Sequence, residues 1–148
     1  MGIVKAKPKN AQKICELIKE SILAIKEHYS KKEIGAWAYF NTPEIIKTKM
    51  NNMYVMKSFG RILGVISYTE STIEKLYVHP SKQGKGIGKK LIQFAEKKLK
   101  GIEKITIRSG LNAVLFYKKQ GYNKVKTSHV VLNSVKITEI IMEKSFTP

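Results

Sequence analysis

Leu76-Tyr77-Val78-His79-Pro80-Ser81-Lys82-Gln83-Gly84-Lys85-Gly86-Ile87-Gly88 is the stretch that decides how this 148-residue chain folds. An apolar run closes at a proline, and a turn with three glycines in five residues opens into a helical pattern. Glycines allow positive φ and a close backbone approach to a ligand. The first N–H groups of the helix that follows, at the positive end of its dipole, suit a phosphate or pyrophosphate. A P-loop would need Lys-Ser or Lys-Thr after its last glycine, but Lys89-Lys90 follow Gly88. A dinucleotide fingerprint starting at Gly84 would need a sixth-position glycine where Lys89 stands. What remains is Gln-x-x-Gly-x-Gly, filled by Gln83, Gly86 and Gly88.

A second block lies downstream, Asn112-Ala113-Val114-Leu115-Phe116-Tyr117-Lys118-Lys119-Gln120-Gly121-Tyr122. Asn112 is a suitable N-cap and Gly121 a suitable C′ glycine, while Ala113, Phe116 and Tyr117 share one helical face. Together the two blocks resemble the GNAT superfamily of N-acetyltransferases, most specifically over residues 73–122. The resemblance implies an α+β fold: a mixed, mostly antiparallel sheet of about seven strands flanked by about four helices. It also implies acetyl-CoA as cosubstrate, with no metal. A single domain over residues 1–148 is expected from the length.

The pattern along the chain fits. Ile3–Ala6 reads as a first strand, and Ile14, Leu17, Ile18, Ile22 and Ile25 recur at helical spacing from Asn10 to about His28. A second helical region holds Ile34, Trp37 and Ala38, and Thr42-Pro43 reads as N-cap and N1 of a third. Met53–Phe59 and Ile62–Tyr68 form a hairpin with Gly60-Arg61 as a two-residue turn, then Ile73–Val78 is a strand. Beyond the glycine loop, Ile87, Leu91, Phe94, Ala95 and Leu99 make a buried stripe. Lys104–Arg108 is a strand, and after the Asn112 helix come two long strands joined at Asn133-Ser134.

Composition narrows the function classes. Twenty-eight basic and 11 acidic residues give +17, but only Arg61 and Arg108 are arginine. Arginine is the residue of bidentate phosphate contacts, and no aromatic-interleaved basic stretch occurs, so nucleic acid is the disfavoured partner. Lysine, isoleucine and asparagine enrichment is what AT-rich codon usage produces. No apolar run reaches the roughly 18–20 residues of a membrane span, and Met1–Lys7 lack a signal-peptide core, so the expected address is the cytoplasm. The lone Cys15 borders the apolar stripe of the first helix and reads as structural.

The resemblance assigns roles by position. Leu76, Tyr77 and Val78 would lie along the pantetheine arm, where a family bulge in this strand frees a backbone N–H for the thioester carbonyl. Gln83, Gly84, Lys85, Gly86, Ile87, Gly88 and Lys89 would surround the pyrophosphate, and Asn112 and Tyr117 would line the cofactor cleft. Tyr117 stands where the family carries its general acid; the other reading is packing beneath the cofactor. Glu74 shares a face with Leu76 and Val78 by alternation and is a candidate base, or else the partner of a lysine. His79 reads as a loop residue. Tyr29, Glu33 and Trp37 sit in the polar-aromatic stretch expected to hold the acceptor. The acceptor would be a small-molecule amine ahead of a peptide amine, attacking directly in a ternary complex. The rivals are a catalytically silent CoA-fold module and a lysine-rich nucleic-acid binder. A homodimer is compatible with the sequence.

Overall fold

A computed structural model describes residues 2–146. Seven strands form one sheet in the order β1-β2-β3-β4-β5-β7-β6. Their ranges are β1 Gly2–Lys5, β2 Met53–Ser58, β3 Arg61–Thr69, β4 Thr72–Val78, β5 Lys104–Gly110, β6 Asn123–Leu132 and β7 Val135–Ser145. Every neighbouring pair is antiparallel except β4 and β5. Five helices, α1 Ala11–Leu23, α2 Lys31–Ala38, α3 Pro43–Thr48, α4 Ile87–Lys98 and α5 Val114–Lys119, cover the two faces. This is the α+β architecture expected of a GNAT fold.

Two apolar clusters sandwich the sheet. On one face Ile14, Leu17, Ile18 and Ile22 of α1 pack with Ile34, Ile46, Val55 and Val65. On the other, Ile87, Leu91, Ile92 and Ala95 of α4 pack with Ile66, Ile73, Ile107 and Met142. Ile92 joins the α4 stripe beside Phe94, which is half-buried. Burying each such aliphatic side chain contributes about 1.5–3 kcal/mol against the entropy of ordering the chain.

Local chemistry sets the boundaries. Thr42 caps α3, its Oγ1 accepting from the Ile45 N–H, with Pro43 at N1. Gly121, at φ 95°, ends α5: its N–H donates to Lys118 O and that of Tyr122 to Tyr117 O, a Schellman pair. Three expectations shift. The first hairpin turn is Phe59-Gly60, since Ser58 faces Arg61 and both turn residues have positive φ, the type I′ geometry that matches strand twist. The first helix stops at Leu23, because the Ile25 N–H tightens onto Ile22 O. Asn112 caps no helix: it lies within a 3₁₀ turn, Leu111–Ala113, ahead of α5.

Candidate active site

The one parallel pairing makes the site. β4 and β5 are in register only at Thr72–Thr106 and Ile73–Ile107; beyond that point the strands diverge. At the same point Ser67 faces Lys75 while Tyr68 faces Ile73, so Glu74 is an extra residue in β4, a β-bulge. The bulge corrects the alternation argument. Ile73, Leu76 and Val78 all reach the α4-side cluster, whereas Tyr77 reaches the α1-side cluster. Glu74 sits at the break itself.

The opened sheet holds a cleft of about 390 Å³ on the α4 side and a pocket of about 270 Å³ beyond it, with Trp37, Glu74, Tyr77, Arg108 and Gly110 lining both. The first cleft is floored by Leu76, Tyr77 and Val78 and walled by Gln83, Gly84, Gly86, Ile87, Gly88 and Lys89, with Asn112, Phe116 and Tyr117 opposite. Lys85 does not line it. Gly84 and Gly86 hold φ of 77° and 83°, and a Cβ on either would project into open space. Gly86 occupies the N-cap of α4, so the free N–H groups of Ile87, Gly88 and Lys89 follow it, and Lys82 lines the same cleft. An open glycine cradle, helix N–H donors and lysines fit a pyrophosphate.

The free edge of β4 presents its own groups. The His79 N–H donates to Leu63 O, which makes Leu63–His79 a hydrogen-bonded pair and, by alternation, turns the N–H and C=O of Leu76 and Val78 towards the cleft. Val78 O already accepts from Ser21 Oγ at 3.0 Å and Gln83 Nε2 at 3.1 Å. Gln83 therefore anchors the strand end instead of turning its amide towards the cradle.

Tyr117 is buried, with its ring edge-on to Phe116 and Tyr122. Burial, followed by the neighbouring Tyr77, lifts its phenol far above the ordinary value, so it stays protonated. Burial pushes Tyr77 up to about 12, although Trp37 Nε1 donates to its hydroxyl at 3.2 Å. Glu74 pairs with an arginine: Arg108 Nη1 lies 3.1 Å from its carboxylate, while Arg108 Nη2 lies 3.0 Å from Glu139. Burial opposes the Arg108 charge, but the two carboxylates outweigh it and hold its pKa raised.

Of the expected acceptor residues, Trp37 borders both cavities and the Tyr29 ring lines the farther one. The Tyr29 hydroxyl is fully engaged, donating to Thr138 O and accepting from the Leu111 N–H. Glu33 lines neither cavity. Its carboxylate accepts from the Ser30 N–H at 2.8 Å, half of a capping box that starts α2. His79 caps the turn after β4, with Nδ1 accepting from the Ser81 N–H and Nε2 2.8 Å from Glu20. Cys15 lines neither cavity and donates to Asn41 O. Sequence reasoning missed Arg108, Glu139, Lys75, Ser21 and Asn41. The signal for Arg108 was its rarity, one of two arginines in a lysine-rich chain.

The domain signature of the acetyltransferase (GNAT) family matches residues 25–145. The chain belongs to the GNAT acetyltransferase family. Over 137 residues it is 24% identical to the uncharacterized N-acetyltransferase YafP of Escherichia coli K12, covering 91% of this chain and 89% of YafP. Its fold superposes with a TM-score of 0.92 on a GCN5-related N-acetyltransferase from Rhodopseudomonas palustris, at 24% identity over 98% of this chain and 95% of that one. The PaiA N-acetyltransferase of Thermoplasma acidophilum, solved with coenzyme A, superposes with a TM-score of 0.77 at 22% identity, covering 98% of each chain. This GNAT acetyltransferase has no group of three or more His, Cys, Asp or Glu suited to a metal among its described residues, and no described helix is long and apolar enough to cross a membrane.

Proposed function

We propose that this GNAT acetyltransferase moves the acetyl group of acetyl-CoA to a primary amine by direct attack in a ternary complex, and that the acceptor is a small molecule. The observation that carries this reading is the divergence of β4 from β5, which joins a glycine-cradled cleft to a second pocket across Glu74. A cavity of about 270 Å³ is matched to a small molecule better than to a polypeptide.

The pyrophosphate sits on the N–H groups of Gly84, Gly86, Ile87, Gly88 and Lys89. The pantetheine arm pairs with the cleft-facing edge of β4, mainly through Leu76, since both lone pairs of Val78 O are taken. The Leu76 N–H, beside the bulge, polarises the thioester carbonyl. The amine attacks the carbonyl carbon and the C–S bond breaks. Glu74, held by Arg108, relays the proton of the amine through water. Tyr117 donates a hydrogen bond, and with it a proton, to the departing sulfur. A phenol held this high surrenders its proton only to a strong base, so much of its contribution comes from the hydrogen bond itself. Placing both reactants across the splay supplies the largest share of the acceleration, on the order of 7–11 kcal/mol for well-oriented partners.

Initial velocities with acetyl-CoA and an accepted amine varied together test the order of events. Intersecting reciprocal plots are expected. Parallel plots, the mark of a covalent acetyl-enzyme, would contradict the ternary complex.

A further inference from the structure

The pocket beyond the splay holds three cations, Lys49, Lys75 and Arg108, against two carboxylates, Glu74 and Glu139. Both carboxylates are drawn to the one guanidinium. No carboxylate among the described residues lies within salt-bridge distance of Lys75. Lys75 is nonetheless largely out of water: burial, with Lys49 and Arg108 adding to it against Glu74, pulls its ammonium down to about 8. A desolvated ammonium without an anion is costly, and a bound anion would remove that cost.

A second, independent feature lies in the same pocket. Asn41 is buried, with 6% of its surface exposed, and its Oδ1 is the one buried side-chain polar atom among the described residues that has no hydrogen-bond partner. A half-turn about its last bond lets the amide offer either a donor or an acceptor. Phe40, Val130, Leu132 and Ile137 give the rest of the wall an apolar stretch, beside Thr138.

We propose that the acceptor is an amine that also carries a carboxylate on an apolar body, an amino-acid-like molecule, and that Lys75, supported by Lys49, binds that carboxylate beside Asn41. The surplus of one positive charge matches a monoanion and not a phosphate dianion. The apolar wall takes the side chain, and the amine is left at Glu74, where the pocket meets the cleft. This inference rests on the acetyl-transfer reading above and names the substrate class of that same site.

The test is calorimetric binding to the full chain, with and without saturating CoA, at pH 7 and 0.15 M salt. The probes are L-leucine, L-methionine and L-phenylalanine, their amides, 3-methylbutylamine, 2-phenylethylamine and O-phosphoethanolamine. At least one amino acid is expected to bind 10-fold or more tightly than its amide and its decarboxylated amine. Lys75→Met should erase that preference by weakening only the carboxylate-bearing member, and Lys49→Met should erase part of it. Equal binding by the amides, absence of binding by all three amino acids, tighter binding by O-phosphoethanolamine, or an unchanged ratio in Lys75→Met would each overturn the proposal. Thiol release from acetyl-CoA in the same solutions separates the two readings. Transfer to amino acids and amides alike keeps the reaction and removes the carboxylate site. Selective binding without transfer keeps the site and removes the reaction.

Discussion

Lys75→Met should make the protein more stable at neutral pH. In the folded protein the Lys75 ammonium falls from 10.5 to about 8, chiefly through desolvation. At 1.36 kcal/mol per unit the drop corresponds to about 3 kcal/mol carried by the folded state whenever Lys75 is charged. The pocket is open, so water screens part of this, and the expected gain is about 1–3 kcal/mol. Below pH 8 both the folded and the unfolded chain bind the proton, and the cost is present in full. Between pH 8 and 10.5 the unfolded chain holds the proton that the folded one releases, so wild-type stability rises across that window through this group. Above 10.5 both states are neutral and the cost is gone. Urea unfolding of wild type and Lys75→Met at pH 7 and at pH 10.5 reads this directly. The variant should lead by about 1–3 kcal/mol at pH 7 and by distinctly less at pH 10.5. A variant less stable at pH 7, or a difference independent of pH, would refute the picture of an ammonium buried without an anion.

Other consequences can be checked alongside. Tyr117→Phe should lower kcat by about 10²-fold while leaving the affinity for acetyl-CoA nearly unchanged; a rate within a factor of two of wild type would remove the hydroxyl from the reaction. Gly64→Ala should cost about 1–3 kcal/mol in urea unfolding, because its Cβ would lie 2.9 Å from Leu91 Cδ1 and 3.2 Å from both Ile87 Cγ2 and Tyr77 O, where α4 presses on β3. Cys15→Ser should keep the steady-state rate within a factor of two, since Cys15 lines neither cavity and its thiol is pushed up chiefly by burial; a large loss of rate would contradict the structural reading of this thiol.

How far the sequence could be read follows from the range of the interactions involved. The helix stripes, the Thr42 cap, the Gly121 stop and the glycine loop are set by residues within a few positions of one another, and they are legible as spacing. The splay is not. It depends on one extra residue, Glu74, and a one-residue break in alternation leaves no periodic trace. The consequence is large, because the bulge brings Ile73 to the same cluster as Leu76 and Val78. The Glu74–Arg108–Glu139 arrangement joins three strands that are adjacent only in the folded sheet, so the sequence left Glu74 to be matched with a lysine. Within the polar-aromatic stretch read as the acceptor region, Tyr29 and Trp37 line the second pocket. Glu33, however, was already committed to the helix start by the Ser30-x-x-Glu33 capping box, a local signal that outweighs its nearness to Trp37. The hairpin turn shifted by one residue because type I′ geometry places Phe59, a non-glycine, at positive φ. Side-chain choice alone favoured Gly60 as the first turn residue.

The glycine cradle and the free edge of β4 as the acetyl-CoA site are the centre of this account. Calorimetric titration of wild type and Gly86→Val with acetyl-CoA at 0.15 M salt, with dephospho-CoA and ATP as charge controls, tests it most directly. Gly86 stands at φ 83° with open space where its Cβ would project, so valine both strains the turn and fills the cradle. Stoichiometric binding of acetyl-CoA in preference to ATP, lost in a Gly86→Val protein that still unfolds cooperatively, is the predicted result. Equal, salt-sensitive binding of all three ligands, unchanged in Gly86→Val, would mean that the +17 charge merely gathers anions.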